Sequence, residues 1–312
     1  MRPGAILKCS LILFGFASTI SAQFELERSD GGIRVLHNGE LATQYLTEGQ
    51  CPILWPLLSS DGARLARDFP MSNETADEKR DHPHHRSLWF THGAVNGTDF
   101  WHKGGKVVHQ EFSRLEGGSQ AIIESTNLWI NSDGEPVLKE KRRMTFGAVD
   151  TMRWIDFDLV LLADFGEVHF GDTKEGTFAV RVAESMKVDR GSGGKIVNSD
   201  GKSNLLAWGQ PANWVNYTGP VGDKTYGIAM FCHPASYNYP NRWHVRTYGL
   251  FAANPFGLNS FTGNSEAGPG VVLKQAEQLR LCYRVLLHLG VTDTEVLDQI
   301  YQEFSQIQLA PM

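Results

Sequence analysis

Five histidines fall within 21 residues, from His82 to His102. They occur in the run Asp81-His82-Pro83-His84-His85-Arg86-Ser87-Leu88-Trp89, then at His92, then in Asp99-Phe100-Trp101-His102. Imidazole changes charge near neutral pH, so such a cluster can move protons, hold an anion or ligate a metal. If Pro83 to Phe90 is extended, His82, His84 and Arg86 project to one face and His85 to the other. The plainer alternative is a hydrogen-bonded polar belt or an exposed loop. A divalent metal on His82, His84 and His92, or on His233, is a third reading. No His-Glu-x-x-His spacing and no nearby Cys pair supports it, and Leu88-Trp89-Phe90 stand where a cupin-type site would carry Glu.

A second polar and aromatic cluster comes later. It holds Trp208, Trp214, His233-Pro234, Tyr237, Tyr239, Arg242-Trp243-His244-Val245-Arg246 and Asn254-Pro255-Phe256-Gly257. Aromatic faces beside Arg, His and Asn suit sugars: rings stack on C–H faces while polar groups bond hydroxyls. Taken singly, each Trp reads as core. Between the clusters, Glu175 precedes a strand start and Glu184 follows it. Either carboxylate is a candidate general base, and either can instead pair with Lys174 or Arg181. The Gly191-Ser192-Gly193-Gly194-Lys195 run lacks the first Gly and the Ser/Thr of a phosphate loop, and no Gly-x-Ser-x-Gly elbow occurs.

Short strands must position these groups. Period-two patterning marks Phe24–Leu36, Ala121–Ile130, Thr151–Ala163, Thr177–Val182 and Leu279–Leu289, broken by Gly, Asn and Asp turns. One helix is expected over Asp293–Gln306, with Val296, Leu297, Ile300, Phe304 and Ile307 as its apolar stripe. No fixed repeat argues for a propeller. The expected fold is mainly β: one large β-sandwich domain over residues 23–312 with a C-terminal helix. Residues 1–22 pair Arg2 and Lys8 with an apolar run and end Ser21-Ala22, the pattern of a secretory signal peptide. A periplasmic or secreted location is therefore expected. No later stretch approaches the roughly 20 apolar residues of a spanning helix. With Lys+Arg 29 against Asp+Glu 35, the chain carries no basic footprint for nucleic acid. Three cysteines beyond residue 22 make no disulfide framework.

The runs DHPHHRSLWFTHGAVNGTDFW, EGTFAVRVAE, WGQPANWVNY and HPASYNYPNRWHVRTYGLFAANPFG together resemble a bacterial family of unknown function. That family carries the label "PmoA family" or "methane oxygenase PmoA". The resemblance extends over most of the chain after residue 22 and implies the large sandwich of galactose mutarotases and related carbohydrate-active proteins. In mutarotases a His acts as acid on the ring oxygen and a Glu as base on the anomeric hydroxyl. By motif, the resemblance places His82, His84, His85, Arg86, His92, Trp101, Glu175, Arg181, His233, Trp243, His244, Arg246 and Asn254 in a polar core. The mutarotase base lies near the chain end, where this sequence has Glu266 and Glu277.

The expected function is an exported enzyme acting on a sugar or keto-glycoside by His/Glu proton transfer, of epimerase, mutarotase, lyase or hydratase type. His82, His84, Glu175 and His233 are the catalytic candidates. His85, Arg86, His92, Trp101, Arg181, Trp243, His244, Arg246 and Asn254 are the substrate-binding ones. No cofactor is required by this reading, and the partner is a carbohydrate. The alternatives are a non-catalytic glycan-binding sandwich and the His-ligated metal enzyme.

Overall fold

Strand alternation decides which side chains reach the site. The computed structural model describes residues 23–264 and 268–312, so the expected signal peptide and Glu266 lie outside the described residues. The chain opens with β1 (Phe24–Ser29), β2 (Gly32–His37), β3 (Glu40–Leu46), β4 (Ile53–Leu54) and β5 (Leu88–His92). A meander follows: β6 (Lys106–Glu116), β7 (Ala121–Ile130), β8 (Pro136–Val149) and β9 (Met152–Leu162). Then come β10 (Val168–Gly171), β11 (Gly176–Arg181), β12 (Lys195–Asn198), β13 (Trp214–Val221) and β14 (Lys224–Cys232). The chain ends with β15 (Arg242–Val245), β16 (Leu250–Asn254), α1 (Leu258–Thr262), β17 (Gly270–Leu273), β18 (Gln278–Leu289) and α2 (Thr294–Ser305).

Two eight-stranded sheets carry the fold, in the orders β1-β2-β3-β4-β5-β11-β16-β15 and β12-β13-β14-β18-β9-β8-β7-β6. Their strand pairs are antiparallel. Rings from the two sheets meet between them. Phe90 contacts Trp129 at 5.6 Å, and Phe178 contacts Phe157 and Tyr283, each at 4.7 Å. Such aromatic contacts add to the apolar burial that holds stacked sheets together. Cys51, Cys232 and Cys282 are free and buried.

The expected mainly β class and terminal helix are what the chain forms. Helix α2 packs with Leu297, Tyr301 and Phe304 buried, against Trp214, Phe231 and Leu286. Its apolar stripe is turned from the expected one, because Val296 and Ile307 are exposed. Tyr301 takes their place, its hydroxyl bonded to that of Tyr239.

Around the first clusters the expectation of an extended Pro83–Phe90 fails. His82 and Ser87 have φ of 45° and 54°, and the His85 N–H closes a turn onto the His82 carbonyl at 2.9 Å. The strand begins only at Leu88. A turn breaks two-residue alternation, so His82, His84 and Arg86 do not share a face.

Candidate functional site

The outer face of the first sheet is built in rows. Cross-strand pairing aligns Trp89, Ala179, Ala252 and His244 across β5, β11, β16 and β15. One residue along, Phe90, Phe178, Ala253 and Trp243 form the matching row on the opposite, core face. Alternation thus separates neighbours in sequence: His244 belongs to the outer face, Trp243 to the core.

Buried charge pins the histidine loop to one end of this face. Arg67 and Arg181 are fully buried, and both donate to Asp81 Oδ1, at 2.7 and 3.1 Å. Arg67 also donates to the carbonyls of Phe69, Lys79 and His82. Burial pushes the Asp81 carboxyl up, but Arg181, His82 and Arg67 together hold it below its usual range. The second Nη of Arg181 contacts His85 Nδ1 at 3.1 Å. A guanidinium only donates, so His85 Nδ1 accepts and the ring's proton sits on Nε2. Burial, then the His84 and Arg181 charges, holds the His85 pKa far below its ordinary value, so this ring is neutral.

Around His85 the rings pack closely. His82 stacks on it at 4.8 Å, His84 meets it edge-on at 4.4 Å, and His84 lies 4.4 Å from His102. Asp99 Oδ2 bonds His102 Nδ1 at 2.9 Å. Burial, then the charges of His102 and His82, brings the His84 pKa down to about 4. Trp89 and Trp101 back the cluster, 5.5 and 6.0 Å from His85. Their indole N–H groups, and the Arg181 Nε–H, are buried without a hydrogen-bond partner among the described residues. Each therefore needs a water or ligand oxygen.

The opposite wall holds a second fixed imidazole. Trp208 Nε1 donates to His244 Nδ1 at 3.0 Å, which again leaves the proton on Nε2. Burial brings His244 down to about 4, against the opposing pull of Glu175. Arg246 and Tyr248 lie in the hairpin turn between β15 and β16, closed by the Gly249 N–H on the Arg246 carbonyl at 3.0 Å. Gly249 has φ of 100°, where a side chain is strained. The Tyr217 hydroxyl, from the second sheet, donates to the Thr247 carbonyl at 3.0 Å and anchors this turn.

Glu175 stands between the walls. Its charge acts on His84, His102 and His244. Its backbone carbonyl accepts from the Gly93 N–H at 2.7 Å, an approach that a Cβ at position 93 would block. Lys174 bonds the Glu175 carboxylate directly. Burial opposes ionisation, but Lys174 outweighs it and keeps the Glu175 pKa below its ordinary value. Asn254 is buried and commits its amide to the backbone of Thr173 and Phe256, so it braces the Glu175 loop.

The structure thus brings together His82, His84, His85, Glu175, Arg181, His244 and Arg246. Four expected ligand contacts lie elsewhere. His92 faces the core beside Phe256, its Nε2 on the Gly171 carbonyl at 2.8 Å. That removes it from His82 and His84, and among the described residues no three His, Cys, Asp or Glu are grouped to hold a metal ion. His233 packs on Phe304 at 5.1 Å, beside α2. Arg86 turns toward Gly49. Trp243 is fully buried and spends its N–H on the Ala212 carbonyl. Trp101 stays with the cluster, but at 1% exposure it is a backing wall and offers no open ring face. Glu184 is held by Lys187, and Glu277 by the backbone of Lys274 in the turn before β18. Arg67, Asp81, His102, Trp208 and Tyr248 are site residues that the sequence reading did not select. Cavities of about 240 Å³ beside Glu184 and about 200 Å³ beside Asn216 lie away from the cluster. Convergent chemistry, not depth, marks the site.

A family model described as "Family of unknown function (DUF6807)" matches residues 32–302. That description names no activity and lends no support to the methane-oxygenase label. No curated protein matches the chain. Similar solved structures include the galactosidase domain of the alpha-galactosidase-sucrose kinase AgaSK, with 7% identity and a TM-score of 0.37. Others are a galactose mutarotase related enzyme from Lactobacillus acidophilus (10%, 0.29) and the GH36 alpha-galactosidase AgaA from Geobacillus stearothermophilus (12%, 0.32). The matches cover 86%, 85% and 86% of this chain, and 40%, 97% and 40% of those chains. The chain therefore spans well under half of either galactosidase. Likenesses at these scores carry no argument about the site.

Two outcomes are expected of this geometry. Asp81→Asn leaves two buried guanidinium groups without a counter-charge and should cost roughly 3 kcal/mol in urea unfolding; an unchanged midpoint would contradict the pinning role. His92, His244 and His288 are buried with pKa values of about 4 against an ordinary 6.5. Below pH 6.5 the unfolded chain binds protons that the folded one refuses, so stability falls between pH 6.5 and 4. Urea midpoints measured across that window should drop, with a shallower fall in His244→Gln.

Proposed function

The chain belongs to the Family of unknown function (DUF6807), and we propose that it is a carbohydrate-active enzyme that moves a proton at a sugar or keto-glycoside. The observation that carries this reading is Glu175, a carboxylate whose charge reaches His84 on one wall and His244 on the other. His85 and His244 supply fixed Nε2–H donors to sugar oxygens. They are pre-oriented by Arg181 and Trp208, so little reorganisation accompanies binding. Glu175 takes the proton, and neutral His84 relays or returns it. His82 stands exposed at the rim. The reaction is an epimerisation, a mutarotation, or an elimination or hydration beside a carbonyl. The signal-peptide pattern of residues 1–22 supports a periplasmic or secreted location.

One observation favours a second reading, a non-catalytic glycan-binding protein. Lys174 holds Glu175 as a weakly basic, ionised carboxylate.

Proton NMR in D2O separates the two, since it records both anomer interconversion and exchange at carbon. Over a panel of aldoses, hexuronates and keto-glycosides the enzyme reading expects one substrate to interconvert or exchange. Glu175→Gln and His84→Ala should slow that exchange about 100-fold or more. Binding with no exchange at any sugar supports the binding protein. Exchange that survives Glu175→Gln contradicts the assignment of the base.

A further inference from the structure

Among the described residues, the Lys and Arg side chains of the site pair with carboxylates, with one exception. Lys174 bonds Glu175, and Arg67 and Arg181 share Asp81. Among the described residues Arg246 makes no ion pair, and its guanidinium makes no hydrogen bond. Aromatic faces hold it instead: the guanidinium carbon lies 5.5 Å from the Tyr248 ring centroid and 6.0 Å from that of Trp208. Those faces steady the cation and leave its N–H donors free, because ring contact uses the π surface and not the N–H edge.

The position is fixed as well as the partner set. The Arg246 N–H bonds the Leu250 carbonyl at 2.7 Å across the hairpin, and Tyr217 anchors the next residue from the second sheet. Trp208 donates to His244 and carries the Arg246 guanidinium over its ring, so one indole links guanidinium and imidazole, and Glu175 acts electrostatically on the same imidazole. Tyr248 carries Arg181 on its ring as well, at 4.9 Å, which adds positive charge beside Arg246.

From the uncompensated Arg246 beside Glu175 and His244, we infer that the ligand is an acidic sugar, whose carboxylate pairs side-on with the Arg246 guanidinium. The inference rests on the carbohydrate reading above and names its substrate class. A planar fork of N–H donors matches a carboxylate with two parallel bonds, and a neutral hydroxyl uses only part of it. Discrimination between acid and neutral sugar follows from that difference.

Calorimetric titration of the full chain at pH 7 and low salt tests it, with D-glucuronate and D-galacturonate against D-glucose and D-galactose. The acids should bind roughly 10- to 100-fold tighter than their neutral partners. Arg246→Gln should abolish that preference, weakening the acids about 10-fold or more beyond any loss in the neutral hexoses. Arg246→Lys should keep part of it, through charge without the fork. Equal affinity for acid and neutral sugar, or a preference that survives Arg246→Gln, overturns the inference. Neutral sugars binding while both acids fail overturns it and leaves the carbohydrate reading standing. Failure of all four sugars overturns both.

Discussion

Arg67 and Arg181 are two guanidinium groups withdrawn from water, and they meet one carboxylate, that of Asp81. Burying a charge is costly unless it is paired and its donors are filled. Much of the local structure follows from meeting that requirement. Arg181 is placed by its pairing with Leu250 across β11 and β16, and Arg67 by its backbone bond to the Arg181 carbonyl at 2.9 Å. Asp81 must then come to them, and it draws residues 82–87 into a turn over the sheet. The Arg67 donors that remain are filled by the carbonyls of Phe69, Lys79, His82 and His85. The other Nη of Arg181 selects the His85 tautomer. A structural charge pair thereby determines a chemical property, the position of one proton.

The second wall obeys the same logic with weaker forces. An indole N–H orients His244, and a tyrosine hydroxyl from the other sheet holds the hairpin that carries Arg246. His244 lies on strand β15, and His85 lies in a turn held by the buried Arg67 and Arg181, so both imidazoles have little freedom. Glu175 is less constrained, since Lys174 is its only ion-pair partner among the described residues and is itself partly exposed. The walls supply fixed donors, and the carboxylate between them supplies the charge that can move a proton.

The architecture was legible because period-two patterns are local. Ala121–Ile130 forms a strand over the expected span, and Leu279–Leu289 starts one residue earlier, at Gln278. The site was legible only in outline. His84, Glu175 and Arg246 announce themselves by type and company, but which face each residue takes depends on the phase of its strand. Trp208 and Trp243 look alike in sequence; a turn leaves one beside His244, and alternation buries the other in the core. The turn at His82–Ser87 could not be read from a run with no Gly, and it reverses the places of His85 and Arg86. Arg67 stands 14 residues before Asp81 with no motif around it, so only the folded chain connects them.

Buried donors hold His85 and His244 as neutral Nε2–H imidazoles on the two walls of the site. Long-range proton–nitrogen correlation NMR of 15N-histidine-labelled protein at pH 7 reads tautomer and charge directly. Both rings should be neutral, each with a pyrrole-type nitrogen shift at Nε2 and a pyridine-type shift at Nδ1. A protonated ring, or the proton on Nδ1 at either residue, would contradict it.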